Sequence, residues 1–67
     1  MITSNINYSE ISITLIKELL KYDNHMTKAD FDELTLNKNV KYTIATEDNT
    51  YEIHLMDDSK INVIIGE

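Results

Sequence analysis

The 67-residue chain has no cysteine and sets twelve carboxylates against six lysines with no arginine, a net charge of −6. Such a chain makes one small domain without a disulfide framework or thiolate metal site, and it lacks the guanidinium forks and cationic face that grip nucleic-acid phosphates. No apolar run approaches the ~18 residues of a membrane span and the amino terminus lacks the basic-then-apolar layout of a signal peptide, so the expectation is a soluble, cytoplasmic protein with no membrane and no direct nucleic-acid contact.

The first predicted element is a helix over about residues 8–22. Asn7 followed by Glu10 reads as an N-cap with its capping-box partner. Tyr8, Ile11, Leu15, Leu19 and Tyr22 then form one apolar stripe, and Ile13, Ile16 and Leu20 a second beside it. The combined arc of roughly 200° is about twice the usual core-facing stripe. A single sheet cannot cover it, so Ile13, Ile16 and Leu20 are assigned to an excess apolar face that meets another helix or a partner. After a polar break at Asp23, Asn24 and His25, Thr27 caps a short helix over about 28–35. Met26 before the cap and Phe31 at the fourth helical position match a hydrophobic staple, and Asp30, Asp32 and Glu33 suit the helix amino end.

Three alternating runs follow, over about 40–46, 50–56 and 60–66. Val40, Tyr42 and Ile44 share parity in the first, Tyr51, Ile53 and Leu55 in the second, and Ile61, Val63 and Ile65 in the third. A two-residue turn at Asp48 and Asn49 pairs Ile44 with Ile53, and a loop at Asp57, Asp58 and Ser59 sets Ile53 against Val63. The fold class expected is α+β: two N-terminal helices packed on one face of a three-stranded antiparallel β-meander, in the order ααβββ. The outer face then shows Lys41, Thr43, Ala45, Glu52, His54, Met56, Asn62 and Ile64. The last strand lies at an edge, so Ile61, Val63, Ile64 and Ile65 are expected to pair with another chain, as a homodimer or with a partner.

Catalytic and metal motifs are missing. His25 and His54 are unrelated by spacing, and Asp23 with His25, or His54 with Asp57, supplies two ligands where a transition metal wants three or four. No nucleophile elbow or glycine loop occurs. The expectation is a non-enzyme with no cofactor and no metal. Its carboxylates fall into groups at Asp30, Asp32 and Glu33, at Glu47 and Asp48, and at Asp57 and Asp58. Beyond solvating the surface, such groups can imitate a row of phosphates and engage a host protein with a basic surface.

Ten isoleucines, seven asparagines, one glycine and no proline suggest an AT-rich coding sequence, as in low-GC bacteria and their phages. The functional expectation is a small acidic interaction module, an inhibitor or modulator from a phage or mobile element. Its targets would be a nuclease, a CRISPR effector or a transcription factor, with the acidic groups acting as a DNA mimic. One alternative starts from Ile16 to Leu34, IKELLKYDNHMTKADFDEL, which resembles the first two helices of a winged-helix domain. That resemblance implies a dimeric transcriptional regulator, although Leu36 and Asn37 lead into a strand where a winged helix carries its third, recognition helix. The other alternative is an assembly protein that pairs through its edge strand.

Overall fold

The computed structural model describes residues 6–66. Helix α1 spans Ile13–Tyr22, strand β1 His25–Met26, helix α2 Lys28–Leu34, and strands β2, β3 and β4 span Val40–Glu47, Thr50–Leu55 and Lys60–Ile65. The fold is α+β, but the three-stranded meander is overturned. The sheet has four strands in the order β1-β4-β3-β2, with β1 parallel to β4 and the other neighbours antiparallel.

The fourth strand comes from the segment that sequence patterning leaves as a polar break. Asp23 Oδ1 accepts the His25 N–H (3.1 Å), which turns the chain out of α1. His25 and Met26 then lie against Ile64 and Ile65. Ile64 N–H donates to Asn24 O (2.8 Å) and Gly66 N–H to Met26 O (2.9 Å). The assignment of Ile61, Val63, Ile64 and Ile65 to an open edge is therefore corrected. β4 is an inner strand, and its backbone groups from Ile64 onward are already paired on both sides.

Helix α1 starts later than the capping signal at Asn7 predicts. Asn7 O accepts N–H groups from Glu10 and Ile11 in a local turn, and Asn7 Oδ1 is taken by the Ser9 hydroxyl. A helix through residues 8–12 would commit the Tyr8 and Ile11 carbonyls to N–H groups four residues on. Those carbonyls instead accept from Asn37 Nδ2, at 2.8 and 2.9 Å. Ser12 becomes the N-cap, its hydroxyl accepting the Leu15 N–H. Helix α2 is capped at Thr27, whose Oγ1 accepts the Asp30 N–H.

The core joins Ile16 and Leu20 of α1, Met26 of β1, Phe31 and Leu34 of α2, Ile53 and Leu55 of β3, and Val63 of β4. Phe31 packs on Tyr51 with ring centroids 4.6 Å apart. Ile16 and Leu20 are 1% and 5% exposed and Ile13 packs half-buried against them, so this trio is the core face of α1 and not an excess face. The apolar groups that α1 leaves in solvent are Leu15 and Tyr22, 41% and 95% exposed.

Register explains which side chains reach the core. In β3 and β4, Ile53 lies opposite Ile61 and Tyr51 opposite Val63, two residues from the expected pairing. A shift of two preserves parity, so Tyr51, Ile53, Leu55, Ile61, Val63 and Ile65 keep the inner face. β2 behaves differently. Val40 lies opposite Leu55, but Tyr42 is opposite His54, so Lys41 is an extra residue in a β-bulge. From there parity is reversed. Thr43 and Ala45 oppose Ile53 and Tyr51 on the inner side, while Tyr42 and Ile44 turn outward beside His54 and Glu52.

Candidate functional site

The bulge at Lys41 builds the most distinctive surface of the molecule. It places Tyr42 and Ile44, 50% and 43% exposed, on the sheet face away from the core. Tyr42 stacks on His54 with ring centroids 4.5 Å apart and planes 19° from parallel. Alternation along β3 brings Glu52 beside His54, and His54 Nε2 lies 3.0 Å from Glu52 Oε1. Lys60, on β4 opposite His54, places its Nζ 3.8 Å from Glu52 Oε2. A groove of ≈ 420 Å³ crosses the same face between Thr46, Glu47, Thr50, Glu52, Asn62 and Ile64, with Asn24 also in its wall. The Asp48–Asn49 turn, in which Asn49 takes a φ of 61°, sets Glu47 and Thr50 opposite one another at this groove.

The carboxylates named from sequence divide into two electrostatic kinds. Asp32, Asp57 and Asp58 are each held by a lysine of the same chain: Lys28 at 2.9 Å, Lys17 at 2.7 Å and Lys41 at 3.0 Å. Lys17, the Ser59 hydroxyl and the Ser59 N–H hold the Asp57 carboxyl well below the usual carboxylate range. The hydrogen bonds from Lys28 to Asp32 and from Lys41 to Asp58 raise both lysines above their ordinary values. Among the described residues, Asp30, Glu33, Glu47 and Asp48 form no such ion pair. Asp30 and Glu33 act on Tyr8, whose phenol is pushed up first by burial and then by their charge and that of Asp23.

Position separates the groups further. Asn39 O accepts the Met56 N–H, so the entry to β2 lies beside the loop carrying Asp57 and Asp58. Glu47 and Asp48 occupy the opposite end of β2, where Asn49 O accepts the Ile65 N–H. The acidic residues therefore do not converge into one row. Ile61, Val63 and Ile65 belong to the inner face, whereas Ile64 reaches the groove. Ile13, Ile16 and Leu20 are covered by the fold itself.

Sequence reasoning missed Tyr42 and Ile44 as surface groups because the run VKYTIATE alternates without interruption and nothing in it marks a bulge. Among the described residues, no group of three or more His, Cys, Asp or Glu side chains converges as a metal-binding set. Among the described residues, no helix is long and apolar enough to cross a membrane. Comparisons with protein-family models, curated proteins and solved structures found no match to this chain.

Proposed function

We propose that the chain is a small acidic protein-interaction module, an inhibitor or modulator of a host protein encoded by a phage or mobile element. It works without catalysis, in the host cytosol, by docking its outer sheet face on a basic surface. One observation carries this reading: Tyr42 and Ile44 stand on an uncovered sheet face, and the far end of the same strand and the turn after it carry Glu47 and Asp48, which no described lysine pairs. An aromatic and an aliphatic anchor supply contact area, and these free carboxylates supply steering and selectivity for a cationic rim. The DNA-mimic form of the idea narrows accordingly to Glu47, Asp48 and the groove, because Asp32, Asp57 and Asp58 are already neutralised within the chain.

The winged-helix alternative draws no support from the topology, since α2 ends at Leu34 and β2 begins at Val40 with no recognition helix between them. Calorimetry against a panel of basic nucleic-acid-binding proteins, nucleases and CRISPR effectors among them, tests the proposal. Binding should weaken with salt, with Glu47→Lys and with Tyr42→Ala, while duplex DNA alone should not bind. No binding across the panel, or binding indifferent to salt and to both substitutions, rejects it.

A further inference from the structure

The sheet ends on one side in the two-residue β1 and on the other in the eight-residue β2, and the backbone geometry of β2, the longer edge, selects a partner. Met56 N–H donates to Asn39 O (2.8 Å), which makes Val40–Leu55 a widely spaced antiparallel pair. Narrow and wide pairs alternate beyond the bulge, so Tyr42–His54 and Ile44–Glu52 exchange backbone hydrogen bonds. Thr43 and Ala45 direct theirs away from β3. The far side of β3 agrees. Leu55 N–H donates to Ser59 O and Ile65 N–H to Asn49 O, so Leu55, Ile53 and Tyr51 serve β4 and leave His54 and Glu52 to serve β2.

We propose that two copies of this chain pair their β2 strands antiparallel about a twofold axis at Ile44, joining two four-stranded sheets into one. In this register Thr43 of each copy faces Ala45 of the other, so the outward N–H and C=O groups satisfy one another in narrow pairs. Ile44 faces its own copy in a wide pair, where side chains approach closest, and its exposed surface is covered. Beyond the regular stretch from Tyr42 to Ala45, Lys41 of each copy comes to the end of the partner strand that carries Glu47. The strand carries no charge other than these two, and they stand at its opposite ends. A parallel alignment would set lysine on lysine and glutamate on glutamate, so the charges favour the antiparallel twofold.

Little else guards this edge. β2 has eight residues with no proline or glycine, and the two bulges leave Tyr42 to Ala45 regular between them. Lys41 is held by Asp58 in the single copy, but its own side chain stays 43% exposed, so the same ammonium can bridge to a second carboxylate. The pairing is argued from the backbone of the β2 edge and does not rest on the outer-face reading above, although it engages Ile44 and Glu47, which that reading also uses; N-methylated Ala45, which touches neither side chain, separates the two.

Sedimentation equilibrium of the full chain from roughly 1 µM to 1 mM, the range of weak to moderate association, tests it. The mass should rise from 7.8 kDa toward twice that value. Chemical synthesis with N-methylated Ala45, which blocks one outward N–H and leaves the β3 ladder intact, should hold the protein monomeric with an unchanged circular dichroism spectrum. Lys41→Glu and Glu47→Lys should each weaken association about tenfold, and the double exchange should restore it. A monomer at every concentration overturns the proposal. So does a dimer indifferent to N-methylation, or a double variant no better than the single ones.

Discussion

Asn37 is the buried polar side chain of the described core, and every hydrogen-bonding group it has is engaged. Its amide donates to the Tyr8 and Ile11 carbonyls and its Oδ1 accepts the Asn39 N–H. It thereby ties the turn before α1 to the entry of β2. Asn37→Ala leaves those carbonyls without donors and should lower stability in urea denaturation by about 3 kcal/mol. Asn37→Asp sets a carboxylate against two carbonyl oxygens, so its folded-state pKa lies above the unfolded value. The variant should accordingly be relatively better at acid pH and lose stability as pH rises through that folded pKa. Asp57 has the opposite sign. Lys17 and Ser59 favour its charged form, so its stabilising effect is complete above the unfolded pKa of about 4 and is lost as pH falls toward the depressed folded value. In Asp57→Asn, the fall of the urea midpoint below about pH 4 should become shallower, read by denaturation at stepped pH.

Strand β2 departs furthest from its sequence pattern, and the Lys41 bulge accounts for it. Deleting Lys41 removes the extra residue while leaving Val40 facing Leu55 and Tyr42 facing His54. The deletion should fold with the Tyr42–His54 stack intact, within about 1 kcal/mol of the parent. Deleting Thr43 instead swaps the faces of the residues on one side of it and should cost more; nuclear Overhauser contacts between the Tyr42 and His54 rings separate the two cases. The same contrast shows what could be read from the chain. The Thr27 cap, the apolar content of α2 and the faces of β3 and β4 were legible because each depends on neighbours within a few residues, or on a parity that a shift of two conserves. The true start of α1 was not, because Asn37 decides it from across the fold. Nor was β1, since two residues have no period and their partners, Ile64 and Ile65, lie near the far end of the chain. The outer face was only partly legible: Glu52, His54, Asn62 and Ile64 followed from alternation, whereas Tyr42 and Ile44 depended on an unmarked bulge.

Across the fold, protection from solvent should follow the sheet order. Amide hydrogen exchange should be slow at Leu55 and Ile65, which donate across the central β3–β4 pair to Ser59 and Asn49, and fast at Thr43 and Ala45 in dilute monomer. Equal rates at the two sites would contradict the β1-β4-β3-β2 order. That order has a further consequence. The β3–β4 hairpin is inserted between two strands that the preceding segment contributes, β1 on one side and β2 on the other. During synthesis the segment that ends with β2 at Glu47 therefore holds a vacant slot, which the final hairpin fills. If the peptide bond between Asp48 and Asn49 were cut, the two fragments should remain gripped together. The chain thus contains a natural seam for fragment complementation, in which neither piece is a finished protein and each is the template for the other.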